Sequence, residues 1–508
     1  MPRPGKRAMT DLLAVLQRRA AAQPASIACG DGVTMLSYGA LLDMAIASAA
    51  ALFPQAGARC GLLLDNGIGW VVVDLAARLA GVVLVPIPSF FSAQQVAHVI
   101  AVSGVDMLIT DQPERIADAW SAGDVADVIG QPANLLRFSV PTIAAALPGR
   151  TRKVTFTSGT TGAPKGVCLA DAAIDRVAAS LLEVSAGRAE DRHLCLLPLA
   201  TLLENIAGID VPIRAGAASF VPNLAEVGLR GSSNLDPLAM LAAIEIYRAT
   251  TVVTVPQTLA GLLHAVQTTG RRPAHLRLVA VGGAPIAAAV LAAADALGVP
   301  VYQGYGLSEL SSVIAFNGPA RNRAGSVGRP LPHAEIRFGS DGEILARGAV
   351  CEGYLGADGK AEPRSDGFWP TGDLGHLDAD GYLHLDGRKK NMFITAFGRN
   401  VAPEWVECEL TAQGSIAQAA VFGEARPWNA AIIVPRLNDP ASVEADIRKA
   451  NDRLPDYARI GRWLLASEAF LPQNGMMTPN GRLRRAEILA TYGERLERLY
   501  QNEGTHVS

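Results

Sequence analysis

Residues 157 to 166 read Thr157-Ser158-Gly159-Thr160-Thr161-Gly162-Ala163-Pro164-Lys165-Gly166. Glycines let backbone N–H groups come close to an oligophosphate, Ser and Thr hydroxyls add short donors, and Lys165 adds a positive charge. A plain surface turn has no use for that density of donors. The run follows Val154-Thr155-Phe156, which reads as a strand. A Walker A loop would need Gly-Lys-Ser/Thr opening a helix, whereas Lys165 stands between Pro164 and Gly166. The chemistry implied is the handling of nucleotide phosphates by a loop of a different kind.

Working outward, near-continuous apolar runs at 60–64, 82–85, 106–110, 251–255 and 276–281 suit strands buried on both faces in parallel sheets, with helical stretches between them. From about Gly325 the texture changes to short alternating segments with glycine turns, at 334–338 and 342–346, which predicts an antiparallel unit. The charged stretch Asp386-Gly387-Arg388-Lys389-Lys390-Asn391 then marks a hinge. The predicted architecture is α/β. A large N-terminal region of layered α/β subdomains plus a small β unit spans 1–388, and a small mobile α+β domain spans 389–508.

A chain of 508 residues is too long for one ordinary core, and its net charge of -3 gives no reason to expect nucleic acid. The six cysteines form no C-x-x-C pair and no metal-ligand spacing, and the eight histidines form no H-E-x-x-H pattern, so no zinc site is expected. The cysteines read as reduced, mostly buried thiols, which points to the cytoplasm. Leu12 to Leu16 is too short an apolar run for a signal peptide and reads as an amphipathic helix. The longest apolar tract, from Trp70 to Pro88, is interrupted by Asp74 and Arg78. It reads as a buried helix followed by a buried strand, not a membrane span.

With further motifs following in order, the chain resembles the adenylate-forming superfamily, the group of acyl-CoA synthetases, luciferases and peptide-synthetase adenylation domains. It is closest in look to bacterial long-chain acyl-CoA synthetases. The resemblance makes Thr157, Ser158, Gly159, Thr160, Thr161, Gly162 and Lys165 the phosphate loop. In Gln303-Gly304-Tyr305-Gly306-Leu307-Ser308-Glu309, a glycine-flanked motif expected to follow a strand, it implies that Tyr305 stacks on adenine, Ser308 touches phosphate and Glu309 holds Mg²⁺. Gly282-Gly283-Ala284-Pro285 resembles the turn lining adenine and the mouth of the acyl pocket, although a tight strand-to-helix turn fits these residues equally well. In Thr371-Gly372-Asp373, read as a turn, Asp373 corresponds to the ribose-binding acid, with Arg388 as a second ribose or phosphate contact. Lys390 stands at the hinge position. Gly398 and Arg399 are where CoA would pass.

Two departures stand out. Thr201, in Leu197-Pro198-Leu199-Ala200-Thr201, replaces the His that many acyl-CoA synthetases carry beside the carboxylate. No Asp in that segment is placed to pair with a substrate ammonium, which argues against an α-amino acid. Arg482 occupies the place of the lysine that bridges substrate carboxylate and α-phosphate, and the chain's last lysine is Lys449. Arg keeps the charge but is longer and planar, so the exchange is not neutral.

The resemblance therefore implies an AMP-forming ligase that uses ATP, Mg²⁺ and CoA to activate an apolar, fatty carboxylic acid. Thr161, Lys165, Glu309 and Arg482 would carry the first step. Such a chain would meet membranes only peripherally, as a source of lipid-like substrate. Three rivals are separable: a homologue that passes its acyl-adenylate to a carrier protein, an amine or an internal hydroxyl; a nucleotide-binding homologue with impaired adenylation; and a P-loop kinase or ATPase, which would release ADP.

Overall fold

The computed structural model describes residues 11–53, 58–112, 126–127, 136–139, 146–157, 164–231, 234–355, 366–478 and 481–501. Two large sheets form among them. In the first, Val83–Pro86, Arg59–Leu63 and Met107–Thr110 lie parallel, as their apolar runs require, and Lys153–Thr157 joins beside Val83–Pro86. In the second, Arg192–Leu194, Thr251–Thr254, Leu278–Val281 and Val301–Leu307 lie parallel in that order.

Helix Ile68–Ala80 is buried almost all round, because its residues pack with strands of both sheets in one core. It is the apolar tract of the sequence, and among the described residues no helix is long and apolar enough to cross a membrane. Its two charges are paired. Lys153 Nζ lies 2.8 Å from Asp74 Oδ1, and Arg78 Nη2 lies 3.0 Å from Asp210 Oδ2. Asn205 completes the first pair, with its Oδ1 2.5 Å from Lys153 Nζ and its Nδ2 donating to Asp74 Oδ2 at 3.3 Å. Burial alone would raise the Asp74 carboxyl; the Lys153 and Arg78 charges outweigh it and hold it below the ordinary carboxylate value.

The alternating segments form a four-stranded antiparallel sheet, Glu335–Phe338, Glu343–Arg347, Trp369–Leu377 and Leu383–Arg388. Its last strand ends on Arg388. Beyond it a three-stranded sheet of Ile416–Phe422, Asn429–Pro435 and Ile460–Leu465 packs with helices Pro403–Thr411, Pro440–Asn451 and Arg485–Gln501 around cores of its own. All six cysteines are free, and all but Cys408 are buried.

Lys153→Met leaves the Asp74 carboxylate buried beside Asn205 without its cation, and we expect a loss of about 3–5 kcal/mol in stability. The double variant Lys153→Met/Asp74→Leu, which removes both charges, should recover most of it. Chemical denaturation midpoints of the two variants check this.

Candidate active site

The loop expected to meet phosphate joins two antiparallel strands. Strand Lys153–Thr157 returns antiparallel as Lys165–Leu169, with Thr157 opposite Lys165. Ser158, Gly159, Thr160, Thr161 and Gly162 lie outside the described residues, so the structure fixes only the two ends of the loop. The strand-loop-strand setting separates it from a Walker A loop, which opens a helix.

Lys165 lines a cavity of about 920 Å³. Gly282, Gly283, Ala284, Gly304, Tyr305, Gly306, Ser308, Glu309, Arg388, Lys390, Thr201 and Arg482 line it too, so segments scattered over the chain converge on one site. Gly282 and its neighbours follow strand Leu278–Val281. Gly283 has φ 88°, and a Cβ on Gly282 would come within 3.3 Å of the Gly304 carbonyl oxygen, so the turn needs small residues. Pro285 is exposed in the same turn.

Two motifs lie on strands, although the sequence sets the first beyond a strand and reads the second as a turn. Gln303 to Gly306 belong to strand Val301–Leu307, because Gly304 packs against Phe316 and Gly306 against the Ser312 backbone of the antiparallel neighbour. Thr371, Gly372 and Asp373 lie within strand Trp369–Leu377, whose glycine at φ 71° and bulge at Leu374/Gly375 absorb the irregularity. Gln303 Oε1 is buried with no hydrogen-bond partner among the described residues.

Register places Asp373 opposite Arg388. The Arg388 Nε lies 2.7 Å from Asp373 Oδ1, and Tyr305 OH donates to Asp373 Oδ2 at 2.7 Å. Burial pushes the Asp373 carboxyl up, opposed by Arg388 and the Tyr305 hydrogen bond. Burial, then the Asp373 charge, pushes the Tyr305 phenol well up. Glu309 follows in a single 3₁₀ turn, Ser308–Leu310, and its Oε1 accepts from Tyr354 OH at 2.6 Å. Thr201 starts helix Leu202–Asn205, and its hydroxyl donates to the Pro198 carbonyl at 2.6 Å.

Arg482 enters from the C-terminal part of the chain. Solvent still reaches it, but the surrounding protein desolvates its head, and that and the Arg388 charge lower its pKa against the pull of Asp373, Glu309 and Glu404. Desolvation, then Arg388 and Arg482, likewise lowers Lys390. Gly398 and Arg399 sit apart from this group, on an exposed turn closed by Gly398 N–H donating to the Thr395 carbonyl at 2.9 Å. Tyr354 is the contributor that the sequence does not reveal: it lies 45 positions from Glu309, on strand Gly353–Tyr354, paired with Lys165–Leu169.

Lys165, Arg388, Lys390 and Arg482 thus bring four cationic side chains to one cavity. Residues 16–360 match the AMP-binding enzyme family and residues 390–504 its C-terminal domain, and the chain belongs to that family. The long-chain-fatty-acid–CoA ligase FadD15 of Mycobacterium bovis is 26% identical over 549 residues, covering 88% of this chain and 89% of its own. The anthranilate CoA ligase AuaEII, solved with anthranoyl-AMP, superposes with a TM-score of 0.81 at 20% identity, over 96% of this chain and 98% of its own. The O-succinylbenzoate CoA synthetase of Bacillus subtilis, solved with ATP and magnesium, gives 0.74 at 24% identity, over 93% and 98%.

Tyr354→Phe removes the phenol that fixes Glu309. A hydrogen bond to a charged group contributes about 1.5–3 kcal/mol, so turnover at saturating ATP should fall at least tenfold and the half-saturating Mg²⁺ concentration should rise. A Mg²⁺ titration of the variant against wild type checks this.

Proposed function

We propose that the protein is an AMP-forming acyl-CoA ligase for a long, apolar carboxylic acid. The observation that carries the acyl part is the run of apolar residues lining the cavity. Its lining follows strand Leu278–Val281 and its flanks from Gly283 back to Arg277, which at about 3.3 Å per residue is about 20 Å. Leu278 and Ala280 line it together with Leu203, Ala207 and Val211. An extended acyl chain fits such a tunnel, with its carboxyl at the Gly282 end, beside Thr201.

The nucleotide end supports the rest of the reading. Tyr305 offers a ring between glycines, Asp373 a carboxylate for ribose hydroxyls, and the unpartnered Gln303 Oε1 an acceptor for an amino group. Lys165, Arg388 and Arg482 bring positive charge to the phosphates, with Thr161 donating from the loop. The open oxygen of Glu309 suits Mg²⁺, which when bound neutralises phosphate charge. In the first step the substrate carboxylate attacks the α-phosphorus and pyrophosphate leaves. The chain's residues position the two reactants and offset the charge that develops. In the second, the small domain pivots at Lys390, and the CoA thiol, passing Gly398 and Arg399, displaces AMP from the acyl-adenylate.

Turnover should yield AMP and pyrophosphate, with thioester only when CoA is present. ADP as the stoichiometric product sinks the reading, and an adenylate discharged without CoA assigns a different acceptor. Ala280→Phe should block the tunnel midway, so that long-chain acids lose activity while short acids keep it; a chain-length panel reads the difference.

Arg482→Ala should slow single-turnover pyrophosphate release about a hundredfold, for an interaction of about 2–4 kcal/mol made in the adenylation transition state. Thioester formation from supplied acyl-adenylate should survive. Lys390→Pro should do the reverse, impairing the second half-reaction more than the first, because proline fixes φ at the pivot.

A further inference from the structure

His193 and Cys195 are two positions apart at the end of strand Arg192–Leu194, and alternation turns both to one face. Glu204, on helix Leu202–Asn205, meets them there. All three are buried, and their ligand atoms lie within 4.8 Å of one another, the one such group among the described residues. His193 Nε2 is 3.0 Å from Glu204 Oε1, and His193 Nδ1 is 3.0 Å from Thr251 Oγ1. The other carboxylate oxygen, Glu204 Oε2, is buried with no hydrogen-bond partner. None of these groups has a part in the adenylation scheme above.

The backbone facing the cluster is glycine. Gly208 lies in the π-helical turn Ile206–Asp210, and a Cβ on it would stand 2.6 Å from Cys195 Sγ, 3.0 Å from Glu204 Oε1 and 3.2 Å from His193 Nε2. Three donors thus surround a space that only a missing side chain leaves open. π-Turns of this kind are frequent at functional sites.

We propose that His193, Cys195 and Glu204 form a structural transition-metal site of the zinc class in the wall of the acyl tunnel. Imidazole, thiolate and carboxylate make a zinc donor set, with Thr251 as the outer partner that orients the imidazole. One thiolate and one carboxylate cancel the charge of a divalent cation, which a buried site requires. His193 lines the cavity, so water can supply the fourth ligand. The metal displaces the proton of the Cys195 thiol. Binding releases that proton to solvent. The imidazole stays neutral, with its ring proton on Nδ1 donated to Thr251 Oγ1 and its Nε2 lone pair on the metal. The metal then ties the end of strand Arg192–Leu194 to helix Leu202–Asn205 and stiffens the cavity wall, a role that does not depend on the ligase reading.

The test uses the full-length protein, expressed with added zinc, dialysed and analysed for metal, then exchanged with Co²⁺. One zinc per chain and a thiolate-to-cobalt absorption band in the near ultraviolet are expected. Cys195→Ser should lose both, and Thr251→Val should weaken zinc binding about 10–100-fold. Folded wild type that carries no metal and gives no such band overturns the proposal and leaves a hydrogen-bonded His–Glu pair. A folded Cys195→Ser variant with wild-type zinc affinity overturns it too. If Cys195→Ser does not fold, the wild-type cobalt spectrum alone decides thiolate ligation.

Discussion

A lysine ammonium and an aspartate carboxylate, 2.8 Å apart and almost wholly out of water, set the relation between the two halves of this active site. Lys153 opens the strand that runs into the phosphate loop. Asp74 sits in the helix between the two large sheets, and Asn205, which bonds both, leads into the π-helical turn Ile206–Asp210, whose Ala207 lines the cavity. A buried pair of this kind adds little net stability over an apolar replacement. What it fixes is register: strand Lys153–Thr157, the central helix and the segment at Asn205 cannot slide past one another without stranding a charge. Arg78 repeats the device toward Asp210, Asp171 and Asp175.

The parallel cores were legible because strands buried on both faces must be apolar throughout, and residues 60–64 or 276–281 have no other use for that composition. The segment around residues 157–166 stood out because its composition suits a ligand better than a core, and the structure sets it between two antiparallel strands. The two motifs proposed to meet adenosine were legible as candidates for that chemistry but not as structure. Glycine erases the period-two signal, so 303–306 read as lying beyond a strand and 371–373 as a turn, whereas Gly304 and Gly306 let a neighbouring ring and backbone approach a strand and Gly372 supplies a φ of 71° within one. Tyr354 was not legible at all, because only the pairing of strand Gly353–Tyr354 with Lys165–Leu169 brings it to Glu309. The same holds for His193, Cys195 and Glu204: the rule that found no metal spacing looks for cysteine and histidine pairs, and misses a carboxylate arriving from a helix.

The proposed ribose carboxylate illustrates how such a site can be formed before its ligand arrives. Asp373 has both oxygens engaged, one beside Arg388 and one accepting from Tyr305. A carboxylate offers about four lone-pair sites, so two remain for ribose hydroxyls without breaking either contact. The same two contacts tie the ring proposed to meet adenine, and a cation proposed to meet phosphate, to one rigid pair of strands. Base, sugar and phosphate would then be measured from a single fixed point. Arg482 is not tied to that point. It reaches the site from the C-terminal part of the chain, held there by the electrostatic pull of Asp373, Glu309 and Glu404 against the repulsion of Arg388. Carboxylates that face Arg482 on one side and the strand-borne Arg388 on the other draw the terminal segment toward the site, and the Arg388 charge opposes part of that attraction.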